Sequence, residues 1–133
     1  MLFIYWIEGH PAYAPRVDSI FQSMQDRGDT LCASHLSLGE VLVGPLKGNR
    51  ADISAKVEQF FDSGLVEILP FDRSAAAKFA GLRATTKVTP ADAIHLACAG
   101  AAGVDLFLTH DRDLPKLRVH GIQFIAGLDA NVL

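Results

Sequence analysis

The sequence has few cysteines and no long apolar run. Its two cysteines, Cys32 and Cys98, are isolated and lack the paired spacing of a zinc or redox motif. We therefore expect both to be small core residues rather than partners in a disulfide. The longest strongly apolar run, Leu2 to Ile7, is too short to span a bilayer or to form a signal-peptide core. These absences predict a cytoplasmic protein with no membrane partner.

Several catalytic motifs are also missing from the sequence. It has no GxSxG nucleophile elbow, no Gly-rich phosphate loop and no HExxH zinc helix. Neither cysteine lies beside an evident histidine base. These absences argue against acyl transfer and against zinc chemistry.

The length and composition predict one globular domain over residues 1–133. The chain is half hydrophobic and one-fifth charged, which is too apolar for a disordered protein. Its formal net charge is −3, but residues 73–118 carry seven Lys and Arg against four Asp. Such a basic region can attract a polyanion, although ordinary solvated surfaces also produce imbalances of this kind.

Helical and strand patterns alternate along the chain. Strands are predicted at Thr30–Ser34, Leu65–Leu69, Asp105–Thr109 and Ile122–Ile125. Helices are predicted over residues 12–27, 37–46, 50–63, 72–83 and 89–102, with a turn or short helix over 111–116. Strands joined by helices imply right-handed crossovers and a parallel sheet covered on both faces. The predicted class is therefore α/β.

Three acids, Glu40, Asp92 and Asp111, are flanked by residues typical of a protein core. Helix and turn capping can explain each of them alone. Ser37 with Glu40 and Thr89 with Asp92 match a capping box, and Asp111 can cap the turn that follows it. Capping therefore stands as one interpretation of these acids.

The three acids together support a second interpretation. Helix starts and strand ends meet at the carboxyl edge of a parallel sheet, where such folds form their ligand crevice. Clustered carboxylates repel one another unless a cation neutralises them, and all-oxygen ligation suits Mg²⁺ or Mn²⁺. Such a metal can activate water for attack on a phosphate. Phosphodiester hydrolysis is the expected reaction.

Two histidines lie near these acids. His95 is one turn past Asp92 on an apolar helix, and we interpret it as a packed, hydrogen-bonded core residue rather than a ligand. His110, next to Asp111, can approach a phosphate. Neither belongs to the predicted catalytic set.

Three stretches of the sequence carry a family resemblance. They are Ser37–Glu40, Pro90–Ala99 (PADAIHLACA) and Phe107–Leu114 (FLTHDRDL). In this order and separation they resemble PIN-domain ribonucleases, particularly the VapC-type toxins of bacterial toxin–antitoxin pairs. The resemblance implies a three-layer α/β/α sandwich with a central parallel sheet, and cleavage of RNA with Mg²⁺ or Mn²⁺. It also implies a homodimer and a cognate antitoxin that inserts a cationic side chain into the acidic cleft.

The resemblance also assigns roles to single residues. Glu40, Asp92 and Asp111 match the acids that hold the metal, and Asp113 is an auxiliary catalytic acid. His110 stands where the family more often has Asn. Three further positions match auxiliary or RNA-contacting residues: Ser37, Thr109 and Arg112, the last of which can equally be only solvated.

The sequence departs from the family pattern at its N-terminus. Members usually start with a strand that ends in Asp followed by Thr or Ser, whereas Met1 occupies that place here. The first strand and first acid of the pattern are missing, either because the start was assigned too late or because the protein lacks them. Such a loss weakens metal binding and exposes two neighbouring strand edges. Leu2–Ile7 is then predicted to begin the first helix.

We therefore expect a metal-dependent endoribonuclease, the toxin of a type II toxin–antitoxin system, with a salt-dependent affinity for RNA. The alternative is a catalytically impaired binding module of the same fold that lacks the first acid. A third possibility is a hydrolase of small phosphate esters. Metal titration separates the first two, and turnover of a generic phosphate ester identifies the third.

Overall fold

The computed structural model describes Phe3, Trp6, Gly9 and residues 11–130. Phe3 and Trp6 are helical, and the other positions of the helix start predicted over 2–7 lie outside the described residues. The elements that follow are α1 (Ala14–Arg27), β1 (Leu31–Ser34), α2 (His35–Lys47), α3 (Ala51–Asp62), β2 (Val66–Leu69), α4 (Arg73–Thr85), α5 (Pro90–Ala102), β3 (Leu106–Thr109), a 3₁₀ turn (Leu114–Lys116) and β4 (Phe124–Gly127).

The four strands form two parallel pairs. β1 pairs with β2, with Leu31 opposite Val66, and β3 pairs with β4, with Leu106 opposite Phe124. Within the described residues no strand hydrogen-bonds to both β1 and β3, so the pairs are two separate sheets there. The predicted α/β class with parallel strands is confirmed, and its sheet is divided in two.

Helices cover both faces of the first pair. Alternate residues of β1 point to opposite sides of the sheet, so their packing partners show which helix covers each face. Leu31 and Ala33 pack in a cluster with Val57 of α3. Cys32, between them, packs in another cluster with Cys98 of α5. This alternation produces the middle layer of a three-layer arrangement.

The second pair is covered in the same way. Phe107 of β3 packs with Leu96 of α5, whereas Leu108 packs with Val17 and Ile20 of α1. α5 therefore lies on one face of both pairs, and α1 lies on the other face of the second pair. The predicted α/β/α layering is confirmed.

The start and end of α5 follow from its sequence. The hydroxyl of Thr89 accepts a hydrogen bond from the backbone N–H of Asp92 at 3.2 Å, and Pro90 occupies the first helical position. Gly103, at φ 73°, ends the helix in the left-handed conformation. The expected helix over 89–102 is confirmed.

The last strand lies two residues later than its pattern predicts. Ile122 belongs to the preceding turn, where its N–H donates to the carbonyl oxygen of Val119 at 3.1 Å and its side chain is buried. β4 begins only at Phe124, which is exposed. The prediction of a strand start at Ile122 was wrong because this apolar residue fills the core from a turn.

Both thiols are free, but only Cys98 is buried as a core residue, whereas Cys32 is partly buried. Cys98 is 1% exposed, and burial, together with the carboxylate of Asp72, raises its thiol pKa above the ordinary value of 9.0. Burial and Glu67 raise the pKa of the Cys32 thiol in the same direction. Neither thiol is in the microenvironment of a reactive cysteine.

Candidate active site

The candidate site is built on the junction between β1 and α2, where the strand passes into the helix without a loop. Ser34 ends β1 and is also the N-cap of α2, because its hydroxyl accepts the backbone N–H of Ser37 at 3.2 Å. Ser37 is therefore inside the helix, and the capping-box interpretation of Ser37 with Glu40 was wrong. Glu40 lies in the second turn of α2, beyond the reach of that role.

His95 joins this junction to α5 through two short hydrogen bonds. Its Nδ1 atom lies 2.6 Å from the hydroxyl oxygen of Ser34, and its Nε2 atom lies 2.7 Å from Oε1 of Glu40. The His95 side chain is 15% exposed, which confirms that it is packed and hydrogen-bonded. We call this arrangement the Ser34–His95–Glu40 chain.

The donors and acceptors of the chain indicate a tautomer for the neutral imidazole. The ionised carboxylate of Glu40 can only accept, so Nε2 of the neutral imidazole carries the ring hydrogen and donates it to Glu40. Nδ1 of His95 then accepts from the hydroxyl of Ser34, whose oxygen accepts the Ser37 amide. Every member of the chain has a partner, which fixes the imidazole ring and one oxygen of Glu40.

The chain contains the residue types of a nucleophilic triad, but its geometry does not suit that chemistry. Ser34 is 5% exposed, and its oxygen is engaged as the cap of α2. A nucleophile has to reach a substrate, whereas this hydroxyl is enclosed by Ser37 and His95. The group of the chain that solvent can reach is the Glu40 carboxylate, whose side chain is 34% exposed.

Asp92 lies in the first turn of α5, one turn before His95. Its backbone N–H is bound by Thr89, which confirms the capping role of that threonine. The Asp92 carboxylate accepts no hydrogen bond from any residue that the structure describes, so it does not complete a capping box. His95 thus connects the helix of Asp92 to the carboxylate of Glu40.

Asp111 follows β3 in a turn that its own side chain stabilises. Its Oδ1 atom accepts the backbone N–H of Asp113 at 2.7 Å, and its N–H donates to the buried hydroxyl of Thr109 at 3.0 Å. The turn-capping interpretation is therefore correct for Asp111. This capping bond uses only Oδ1 of Asp111, and Oδ2 has no partner among the described residues. Asp111 can therefore cap the turn and still bind a ligand.

The remaining predicted positions differ in their surroundings. Asp113 forms an exposed ion pair with Lys116 at 3.2 Å, and such pairs contribute little to stability. Arg112 is exposed, and no described side chain forms an ion pair with it. His110 packs its ring edge-on against Tyr13, with ring centroids 4.3 Å apart. The His110 side chain thus packs against an aromatic ring, and the prediction that it approaches a phosphate stays a prediction.

The donor atoms of the site are those that Mg²⁺ and Mn²⁺ prefer, since they are carboxylate and hydroxyl oxygens. However, among the residues described, no three His, Cys, Asp or Glu side chains lie close enough together to hold a metal ion. The types of ligand atom therefore fit a hard cation, but the described residues do not bring three such side chains together around one point. One oxygen of Glu40 is committed to His95.

The sequence pattern did not reveal that Ser34 belongs to the site, nor that His95 links Ser34 to Glu40. The position of His95, three residues after Asp92, did place both on one face of a helix. Its partners, however, are 55 and 61 residues away in the chain. Only the packing of α5 against the junction of β1 and α2 brings them together.

Within the described part of the chain, no helix is long and apolar enough to cross a membrane. Residues 2–119 match the model of the PIN domain family. No curated protein is significantly similar to the chain. PIN domains are generally metal-dependent nucleases.

Proposed function

The chain belongs to the PIN domain family, whose model matches residues 2–119, and we propose that the protein is a metal-dependent endoribonuclease. The observation that supports this most directly is the fixed Glu40 carboxylate. His95 holds one of its oxygens at 2.7 Å, on the helix that also carries Asp92. His95 thus links the helix that carries Asp92 to the Glu40 carboxylate and to Ser34 at the end of β1.

The proposed roles follow from the surroundings of each side chain. Glu40, Asp92 and Asp111 are the residues that would hold Mg²⁺ or Mn²⁺, which supplies activation of water and neutralises charge on phosphate when bound. His95 keeps one Glu40 oxygen engaged and leaves the other available. Thr109 restrains the turn of Asp111. The auxiliary residues of the proposal are Ser37, Arg112 and Asp113.

Cleavage of RNA by the full chain tests the proposal. A structured RNA pool is incubated with protein in Mg²⁺, in Mn²⁺ and in EDTA, beside the variant Asp92→Asn. Asp62→Asn, at the exposed end of α3, removes the same charge elsewhere and is the matched control. We expect cutting by the wild type and by Asp62→Asn in metal only, with products that carry 5′-phosphate and 3′-hydroxyl ends. Cutting that persists in Asp92→Asn contradicts the assignment.

The biological role that we propose is that of the toxin in a type II toxin–antitoxin pair, a VapC-type protein acting in the cytoplasm. It would act as a homodimer and would be inhibited by a cognate antitoxin that places a cationic side chain among Glu40, Asp92 and Asp111. Induced expression in bacteria should arrest growth for the wild type and spare cells that express Asp92→Asn. Equal growth arrest by both proteins contradicts a role that depends on cleavage.

A binding module of the same fold is the second candidate. It is favoured by one observation, namely that the described acids do not form a three-ligand group. Titration of Mn²⁺ by calorimetry separates the two candidates. Binding that Asp92→Asn abolishes supports the nuclease, whereas no binding by either protein supports the module. Turnover of a generic phosphate ester without RNA would instead indicate a small-molecule phosphohydrolase.

A further inference from the structure

A groove of about 390 Å³ lies against β4, and its lining contains none of the acids of the candidate site. It is lined by residues of the segment 115–125, which runs from the 3₁₀ turn into the strand. The ionisable side chains of this lining are all basic or histidine: Lys116, Arg118 and His120. The lining has no Asp or Glu, although the whole chain has a net charge of −3.

The cations of the groove are available to a ligand. Arg118 is exposed, and no described side chain forms an ion pair with it. Lys116 pairs with Asp113, but their side chains are 75% and 86% exposed, so water and salt screen that pair. Lys78 of α4 adds a further positive charge, because its Nζ atom lies 3.4 Å from the carbonyl oxygen of His120. The local field therefore favours a polyanion.

The wall of the groove is held rigidly against α5. Gly121 has a φ of +95°, and a Cβ atom there would overlap the carbonyl group of Gly100. A Cβ atom on Gly100 would in turn approach the carbonyl oxygen of His120 to 2.9 Å. Since the backbones are in close contact, the turn that carries His120 is fixed before a ligand binds. Such preorganisation reduces the entropy cost of binding.

Phe124 adds an exposed aromatic ring to this surface. It is 68% exposed, lines the groove and makes no ring contact with the described aromatic residues. It begins β4, whose last residue, Gly127, pairs with Thr109 at the end of β3. Three residues of a strand span about 10 Å, so the backbone of Phe124 lies roughly that far from the strand ends that precede Asp111.

We propose that this groove binds single-stranded RNA, with Arg118 and Lys116 contacting phosphates and Phe124 stacking on a base. Cations combined with an exposed aromatic ring are the features that bind single strands without sequence preference. A second copy of the chain is a poorer occupant, because two grooves facing each other would bring like charges together. The proposal rests on the proposed nuclease function, for which the groove would hold RNA leading to the acids.

The test measures RNA binding by the full chain in EDTA, where no cleavage occurs. A 5′-labelled twelve-residue oligouridylate and an abasic strand of the same length are titrated and followed by fluorescence anisotropy. Arg118→Gln should weaken binding of both strands about fivefold and reduce the slope of log affinity against log salt by about 0.7. Phe124→Leu keeps an apolar side chain and should weaken only the base-bearing strand, by at least about fivefold.

Two variants serve as matched controls. Lys56→Gln removes a positive charge from α3, which packs with the other sheet, and Leu65→Ala removes an apolar side chain that is 66% exposed. Circular dichroism confirms that each variant is folded. Binding by Arg118→Gln and Phe124→Leu that equals these controls overturns the proposal, as does a wild type that binds neither strand. Variants that leave RNA binding intact but dissociate a dimer in sedimentation identify a protein interface instead, which also overturns it.

The proposed cleavage and the proposed groove fail in different ways. If the wild type binds RNA through Arg118 and Phe124 but never cuts in Mg²⁺ or Mn²⁺, the nuclease proposal fails and the groove stands. If the wild type cuts RNA and both groove variants bind as well as their controls, the nuclease stands and the groove fails.

Discussion

Replacing His95 by asparagine tests the Ser34–His95–Glu40 chain directly. Asparagine can still reach the hydroxyl of Ser34, because its amide lies near the position of Nδ1, but it cannot reach Glu40. A hydrogen bond to a charged group contributes about 1.5–3 kcal/mol to stability. Since the Glu40 side chain is 34% exposed, we expect the lower end of that range. The predicted loss is about 1.5 kcal/mol.

A double-mutant cycle isolates this bond from other effects of the substitution. The free energy of unfolding is measured in urea for wild type, His95→Asn, Glu40→Ala and the double variant. If the 2.7 Å hydrogen bond is formed, His95→Asn should cost about 1.5 kcal/mol less in the Glu40→Ala background. Glu58→Ala, at an exposed position of α3, is the control acid and should show no coupling.

A comparison with His95→Gln extends the test to function. Glutamine can place a donor near the position of Nε2, so it should keep Glu40 oriented and lose the contact with Ser34. In the nuclease, His95→Asn should therefore lower kcat more than His95→Gln does, by about tenfold if 1.4 kcal/mol of positioning is lost. A coupling energy below about 0.3 kcal/mol, or equal kcat for both variants, refutes the reasoning.

Three further predictions concern stability, and a fourth concerns the reactivity of Cys98. Gly121→Ala should lower the free energy of unfolding by more than about 3 kcal/mol, because it combines positive φ with overlap on Gly100, whereas Gly64→Ala, at φ +85° with open space around it, should cost only about 1 kcal/mol. Thr89→Ala should cost about 1 kcal/mol in urea unfolding through loss of the N-cap, unless the cap is not formed in solution. The pKa of the Cys98 thiol is raised in the folded protein, so the folded state is favoured while the thiol is protonated. This contribution to the free energy of unfolding should be complete well below pH 9.0 and should disappear as the pH rises through the folded-state pKa. Alkylation of Cys98 at pH 8 should be slow in the native protein, and rapid labelling would contradict its burial.

The sequence was sufficient for elements whose ends are set by local chemistry. Thr89, Pro90 and Gly103 define both ends of α5, and all three act through their own backbone or a neighbour three residues away. The strand predicted at Thr30–Ser34 likewise follows from a local pattern and is observed as β1. In these segments propensity, capping and hydrophobic periodicity agree with the fold.

The sequence was insufficient where a distant partner determines the structure. The hydrogen bonds that join Ser34 and Glu40 to His95 span 61 and 55 residues of the chain, and no local pattern contains them. Likewise, Ile122 has a strand-forming pattern but is buried in a turn. The roles of Glu40, Asp92 and Asp111 in catalysis stay predictions.

The position of α5 has a consequence for cooperativity. A two-stranded sheet is marginal by itself, and within the described residues β1–β2 and β3–β4 share no strand hydrogen bonds. The buried residues of α5 belong both to the cluster with Leu69 of β2 and to the cluster with Leu114 and Ile122. One helix therefore couples the two halves into one folding unit. The amides at its centre should exchange with solvent only when the whole molecule unfolds.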